Sequence, residues 1–151
     1  SAIAASAAIA VSSCAPGPQP IEFGKDSCAA CRMTISDERY GAEIVTLKGR
    51  VNKYDSVECL ADEMSRDGFD AAGVKHALTI DYSRPGQLVD ARTAVYLHSP
   101  ALRSPMGMNL TSFADRPAAE SAAEDHPGDL LSLDEVLALV AGSSRRGDGK
   151  R

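Results

Sequence analysis

Residues 42–47 are predicted to form a strand whose side chains alternate between two faces, with Glu43, Val45 and Leu47 on one and Ala42, Ile44 and Thr46 on the other. The turn sequence Lys48-Gly49 separates them from a second strand-like run, 50–54. Two such runs joined by a short glycine-containing turn predict a β-hairpin. Residues 33–35 are a further candidate strand, so the first half of the chain is expected to begin with β structure.

An amphipathic helix is predicted directly after the hairpin. Asp55 is its expected N-cap, Glu58 completes a capping box, and Gly68 is its expected end. The spacing of a buried helical face is kept by Val57, Leu60, Ala61 and Met64. Cys59 lies nearly opposite the centre of that stripe. It is therefore expected to face away from the main core, in the first turn, where the helix dipole lowers the pKa of a thiol.

The second half of the chain repeats this order of elements. Asp115 and Gly128 follow Asp55 and Gly68 by sixty positions and flank an Ala-rich helix that extends to about Glu124. Further strands are expected at 78–82, 93–98, 110–113 and 130–131, and a last helix begins at a Ser132/Glu135 capping box and ends at Gly142. The prediction is an α+β fold in which two small related ββαβ-type halves, about 26–90 and 91–142, form one compact unit. Residues 143–151 are expected to be disordered.

Composition excludes several classes of protein. The 151 residues suffice for one domain, and the net charge of -5 argues against a nucleic-acid surface. The sequence shows no Ser/His/Asp arrangement, no phosphate-binding glycine loop and no paired catalytic carboxylates. We therefore predict that the protein is not an enzyme.

The N-terminal segment is typical of an exported protein. Residues 1–13 are uncharged and mostly apolar, too few for a membrane span of about 20 residues, but fit the apolar part of a signal peptide, here a signal-peptide remnant. Val11-Ser12-Ser13-Cys14 resembles a lipobox, which predicts lipidation of Cys14 followed by a Pro-rich tether, 14–25. The alternative is an ordinary signal cleaved near Ala15, which leaves a soluble protein. If Cys14 is lipidated, three cysteines remain, and an odd number cannot all pair internally.

Sulfur side chains are the candidate metal ligands. They are Cys28, Cys31, Met33, Cys59, Met106 and Met108, with His98 shortly before the second Met pair. Zinc would favour paired clusters of Cys or His, whereas Cu(I) accepts two or three soft ligands such as thiolate and thioether. Gly107 can bend the chain so that the two flanking thioethers meet, although both Met side chains could equally fill a gap under their loop.

Four segments carry a family resemblance. The chain resembles the NosL family, copper-chaperone lipoproteins associated with nitrous oxide reductase, in Asp26-Ser27-Cys28-Ala29-Ala30-Cys31-Arg32-Met33-Thr34-Ile35, Tyr40-Gly41-Ala42-Glu43-Ile44, Lys53-Tyr54-Asp55-Ser56-Val57-Glu58-Cys59-Leu60 and Ser104-Pro105-Met106-Gly107-Met108. The resemblance implies a ββαβ-repeat fold and Cu(I) binding by Cys and Met sulfur. It also implies an anchor in the outer membrane and periplasmic delivery of copper to nitrous oxide reductase and its maturation machinery in denitrification. The family's Cys-x-x-Cys-x-Met falls on Cys28, Cys31 and Met33, and its Met loop on Met106; Arg32 stands where glycine is common.

We consider three functions on these residues. In a metal-delivery protein Cys31 is the thiolate anchor, Met33 with Met106 or Met108 supplies thioethers, and His98 is a candidate nitrogen ligand. In a thiol-disulfide oxidoreductase Cys28 attacks and Cys31 resolves, which requires the motif to start a helix. In a structural lipoprotein Cys28 forms a disulfide with Cys31 or Cys59.

Overall fold

The computed structural model describes residues 16–148. Cys14, the signal-peptide remnant 1–13 and residues 149–151 lie outside this range. The elements are β1 (Ala42–Thr46), β2 (Val51–Tyr54), α1 (Val57–Met64), β3 (Val74–Ile80), β4 (Leu88–Asp90), β5 (Val95–His98), β6 (Leu110–Phe113), α2 (Arg116–Asp125), β7 (Asp129–Leu131) and α3 (Leu133–Asp148). Among the helices of the described range, none combines the length and the apolar character that crossing a bilayer requires.

The strands form two antiparallel sheets. The first has the order β2-β1-β3-β4 and the second the order β6-β5-β7. Each sheet and its helix repeat one ββαβ unit, made of β1, β2, α1 and β3 in the first half and of β5, β6, α2 and β7 in the second. The predicted α+β fold with two ββαβ-type halves is confirmed, and β4 and α3 are additions to the repeat.

The predicted β1–β2 hairpin is confirmed. Ala42 pairs with Tyr54 and Glu43 with Lys53. At the turn, Thr46 N–H donates to the carbonyl oxygen of Arg50 at 2.9 Å. The candidate strand at 33–35 is wrong, because only an isolated bridge between Ser27 and Thr34 forms there.

Helix α1 begins differently from the prediction. Its N-cap is Ser56 and its last residue is Met64, four positions before Gly68. The Glu58 carboxylate does not complete a capping box with Asp55 but binds the segment around Ser104. The predicted cap at Asp55 and helix end at Gly68 are therefore wrong, whereas the buried stripe is confirmed at Val57, Leu60 and Ala61.

Both ends of the folded region extend beyond the predicted bounds. Ile21 is buried in the core, so packing begins inside the predicted tether, before residue 26. Helix α3 continues through Gly142 to Asp148, so the predicted disorder is wrong over 143–148. A glycine in a helix interior costs only about 1 kcal/mol, and the Ser144 hydroxyl donates to Asp62 on α1 at 3.2 Å. Tertiary contact with α1 therefore outweighs the glycine.

The two halves are bonded to each other. Tyr82 N–H, just after β3, donates to the carbonyl oxygen of Ser112 on β6 at 2.9 Å, and the hydroxyls of Ser112 and Thr79 lie 2.9 Å apart. Helix α3 also packs along α1. The side of α1 that faces away from the first sheet is consequently covered rather than open to solvent.

Candidate metal centre

The Cys-x-x-Cys segment is a tight loop attached to the end of β2. Cys28 N–H donates to the carbonyl oxygen of Met33 at 2.8 Å, and Arg32 N–H donates to that of Cys28 at 3.0 Å. Ala29 N–H donates to the carbonyl oxygen of Lys53, also at 2.8 Å. Closing the loop places Arg32 at a φ of 67°, in the left-handed region that favours glycine.

Helix α1 starts three residues after the same end of β2, and it brings the third cysteine to this loop. The Sγ atoms of Cys28, Cys31 and Cys59 all lie within 4.8 Å of one another. The three thiols are free, with Cys28 and Cys59 buried and Cys31 half-buried. The prediction that Cys59 faces away from the core is wrong, because the Cys-x-x-Cys loop and the end of α3 cover that side of α1.

This spacing suits one shared metal ion. Three sulfurs arranged in a plane around an ion, each at the metal–thiolate distance of about 2.3 Å known for zinc, lie about 4 Å from one another. The observed upper limit of 4.8 Å is therefore close to what coordination requires. Small side-chain rotations would complete the approach.

Hydrogen bonds and burial determine which of the three thiols loses its proton first. The thiol of Cys59 donates to Cys28, as do nearby backbone N–H groups, and together they hold the pKa of Cys28 below its ordinary value. One of these donors is Cys31 N–H, at 3.4 Å from the sulfur. The hydrogen bond that Cys59 donates to Cys28 raises the pKa of Cys59, and burial raises the pKa of Cys31. The thiolate therefore forms first at Cys28, and the expected lowering at Cys59 by the helix dipole is wrong.

A pocket of about 330 Å³ opens beside the cluster and holds two thioethers. Met106 and Met108 line it together with Cys31 and Cys59. Gly107 has the bend expected from the sequence, with a φ of 80°. Met106 is 41% exposed at the rim, whereas Met108 packs against the core.

Two predicted ligands lie elsewhere. Met33 is 58% exposed and is not among the residues that line the pocket. His98 ends β5, and it belongs neither to the lining nor to the cysteine cluster. The structure thus brings together three thiols and two thioethers of the seven candidates.

Comparison with known proteins assigns the family. The NosL family model matches residues 20–141. The chain belongs to the NosL family. A copper-binding lipoprotein NosL of Stutzerimonas stutzeri is 30% identical over 125 residues, which covers 78% of this chain and 66% of that protein, slightly less than two thirds of its length.

The fold agrees with a solved member of the NosL family. The crystal structure of the copper chaperone NosL from Shewanella denitrificans superposes with a TM-score of 0.66 at 24% identity. The match covers 79% of this chain and 94% of that one. At this identity the likeness supports the fold alone.

In this NosL-family chain a buried carboxylate holds the Met loop. Glu58 is 3% exposed, and its Oε1 accepts hydrogen bonds from the Ser104 hydroxyl and from Leu110 N–H, the latter at 3.2 Å. Ser104 Oγ in turn accepts from Asn109 N–H at 2.9 Å. Burial outweighs these bonds and raises the pKa of Glu58. Sequence reasoning assigned Glu58 to a helix cap, and its spacing in the chain gave no signal for this role.

The end of α3 completes the pocket. Val140, Ser143 and Ser144 line its far side, opposite the Met loop. Sequence reasoning missed this wall because Gly142 was taken as the end of the helix. The signal that could have found it is weak, since only polar residues follow Gly142.

The motif does not have the geometry that an oxidoreductase requires. In the thioredoxin-like arrangement the first cysteine starts a helix. Here residues 29–31 of the motif form a turn, Arg32 after Cys31 has a φ of 67°, and Thr34 forms a bridge with Ser27, so no helix starts at the motif. Thiol-disulfide exchange is therefore the less favoured use of Cys28 and Cys31.

Proposed function

We propose that this protein binds Cu(I) as cargo at the three-cysteine cluster and its Met loop, and passes the ion on. The proposal rests on one observation: three free thiols lie within 4.8 Å of one another, and two of them, Cys31 and Cys59, line a pocket together with two thioethers. Soft thiolate and thioether ligands favour Cu(I) over hard cations. The name of the Stutzerimonas stutzeri relative, a copper-binding lipoprotein, supports the same choice of metal.

The arrangement suits transfer as well as retention. Cys28, already biased towards thiolate, binds without a large cost for proton release, while Cys59 and Cys31 lose their protons to the incoming metal. Met106 at the open rim is a neutral ligand that a donor or acceptor protein can displace. We propose Met33, exposed on the same loop, as an additional ligand during exchange, and we leave His98 out of the ligand set.

We further propose where the ion is delivered. The lipobox-like Val11-Ser12-Ser13-Cys14 and the word lipoprotein in the relative's name support a lipid anchor at Cys14. We propose that the anchor lies in the outer membrane and that the copper site faces the periplasm. The acceptor is nitrous oxide reductase with its maturation machinery. Copper content of the reductase in cells that express only the Cys31→Ser form tests this: a fully loaded enzyme would refute delivery by this protein.

The binding site is tested by competition with a colorimetric Cu(I) chelator. The fully reduced protein is titrated without oxygen as wild type, Cys31→Ser, Cys59→Ser, Met106→Leu and Met108→Leu. Loss of a thiolate should weaken binding at least tenfold, about 1.4 kcal/mol, and loss of a thioether should have a smaller effect. Met64→Leu on α1, where Met64 lies outside the pocket, is the matched control and should bind as the wild type does.

Three outcomes would contradict this assignment. Unchanged affinity in Cys31→Ser and Met106→Leu would place copper somewhere else. Reduction of insulin disulfides by the wild type, abolished in Cys28→Ser, would favour the oxidoreductase. A quantitative disulfide in protein freshly isolated from the periplasm would favour the structural lipoprotein.

A further inference from the structure

The segment 16–21, which we call the tether segment, is docked along strand β1. A Cβ atom built on Gly49, in the turn after β1, would lie 2.8 Å from Cγ of Pro16. One built on Gly41, just before β1, would lie 2.8 Å from Cδ1 of Ile21. The tether segment thus contacts both ends of β1, with Pro16 at the hairpin turn and Ile21 at the start of the strand.

Polar bonds fix the middle of the tether segment. Gln19 N–H donates to Oε1 of Glu43 at 2.9 Å, and Lys53 Nζ donates to the carbonyl oxygen of Pro20 at 2.8 Å. Lys53 also pairs with Asp26 at 2.6 Å. Glu43 and Lys53 are opposite each other across β1 and β2, and Glu43 is 0% exposed. A segment whose composition predicts a flexible linker is therefore held on the domain by bonds to two neighbouring strands.

The docked segment enters the described range beside the hairpin turn, at Pro16. Cys14 precedes Pro16 by two residues in the sequence, and two residues span at most about 7 Å. The turn, which we call the hairpin tip, consists of Leu47, Lys48, Gly49 and Arg50. Leu47 is 64% exposed there, and Lys48 and Arg50 are exposed beside it.

The cysteine cluster lies at the opposite end of the hairpin. Strand β2 runs from Val51 at the hairpin tip to Tyr54, a length of about 13 Å at about 3.3 Å per residue. The Cys-x-x-Cys loop is bonded to Lys53 near the far end of this strand, and α1 with Cys59 begins just beyond it. The hairpin therefore separates the anchor point from the metal site.

We propose that the hairpin tip is a lipid-contact surface. When Cys14 carries its lipid, this surface contacts a phospholipid bilayer with anionic headgroups. This inference rests on the proposed lipidation. Lys48 and Arg50 match the charge of such headgroups, and Leu47 can enter the boundary of the acyl chains. The whole chain carries a net charge of -5, so an anionic surface favours contact through an exposed basic patch such as this one. The copper pocket then points away from the membrane, open to a partner protein.

The absence of Trp from the sequence makes the contact measurable. Leu47→Trp places a single fluorophore on the hairpin tip, and Ala101→Trp places one on the exposed loop that leads to the Met loop. Each full-length lipidated protein is purified from membranes and reconstituted into vesicles of phosphatidylethanolamine and phosphatidylglycerol with brominated acyl chains. We expect blue-shifted, strongly quenched emission from Trp at 47 and an unshifted, unquenched spectrum from Trp at 101.

A second variant tests the contribution of charge. Lys48→Glu with Arg50→Glu, in the Leu47→Trp chain, should abolish most of the shift and the quenching although the lipid still anchors the protein. Equal quenching of Trp at 47 and at 101, or no quenching at 47, would overturn the proposal. So would the finding that the protein purified from membranes carries no lipid. Cu(I) titration of the same preparations separates the two questions. Wild-type Cu(I) affinity without quenching of Trp at 47 refutes the lipid contact alone. Quenching of Trp at 47 without Cu(I) binding refutes the copper site alone.

Discussion

Replacing Glu58 with alanine should loosen the Met loop without touching any sulfur ligand. The Glu58 side chain on α1 is the acceptor for Leu110 N–H at the start of β6 and for the Ser104 hydroxyl before the Met loop. Both donors are buried. Alanine removes the acceptor oxygen that both donors share.

The expected cost follows from these donors. A buried donor left without a partner costs about 1–3 kcal/mol. Leu110 N–H bears this cost in full, whereas the Ser104 hydroxyl can turn and keeps its bond from Asn109 N–H. Part of the loss is returned because a carboxyl group whose pKa is raised by burial no longer has to be desolvated. We expect Glu58→Ala to lower the free energy of unfolding by about 1–2 kcal/mol.

The assay has two readouts. Urea unfolding followed by circular dichroism gives the stability, and competition for Cu(I) gives the affinity, which should fall severalfold because Met106 and Met108 are no longer held beside the thiols. Glu58→Gln keeps an acceptor oxygen and should lose less than 1 kcal/mol. Glu63→Ala, on the same helix with its carboxylate in a surface pair with Arg66, is the matched control and should change stability by no more than about 0.5 kcal/mol.

The outcome that refutes this role is specific. If Glu58→Ala behaves like Glu63→Ala in both assays, the hydrogen bonds to Ser104 and Leu110 do not hold the loop. If stability falls but Cu(I) affinity does not, the bonds support the fold only. In that case the Met loop does not depend on Glu58 to present its thioethers.

Three further predictions concern other sites. Gly142→Ala should stabilise the protein by about 1 kcal/mol in urea unfolding, because the new methyl group would meet no atom within 4 Å in the interior of α3; no gain would mean that the helix ends where the sequence suggested. Arg32→Gly should relieve about 1 kcal/mol of left-handed strain, while Arg32→Ala should not, so equal stabilities would argue against that backbone conformation. Burial raises the pKa of Glu43, whose neighbours are Gln19 N–H, Lys53 and Asp26. The folded state therefore holds the Glu43 proton more tightly than the unfolded chain does. Stability should fall as the pH rises above about 4.3, where a glutamate of the unfolded chain titrates. Glu43→Gln should flatten that part of the pH–stability profile, and an unchanged slope would refute the assignment.

Local patterns in the sequence were sufficient for most of the fold. The hairpin turn at Lys48-Gly49, the cap at Asp115 and the capping box at Ser132 all predict elements that the structure contains. These are short-range effects, in which a residue acts on neighbours three or four positions away. The repeated ββαβ order followed from them because each half has the same sequence of such signals.

The failures share one physical cause, which is competition from distant residues. Glu58 has the spacing of a capping residue, but donors around Ser104, forty-six positions away, bind its carboxylate instead. Gly142 resembles a helix end, yet packing on α1 carries the helix past it. Cys59 is predicted to face away from the main core because helical periodicity identifies only the face of α1 that packs on the first sheet. It gives no information on the loop and the second helix that cover the other face.

The proposed metal site was the part least accessible to local reasoning, since its proposed ligands come from both halves of the molecule. All three thiols belong to the first half, where the Cys-x-x-Cys loop and the start of α1 bring them together. Both thioethers belong to the second half, on a loop where Met106 is exposed. Glu58 joins the two parts, because it lies next to Cys59 in the chain and accepts hydrogen bonds at both ends of the Met loop. A carrier must hold its ion and also release it, and under the proposed function this division would assign retention to the thiolates and exchange to the exposed thioether.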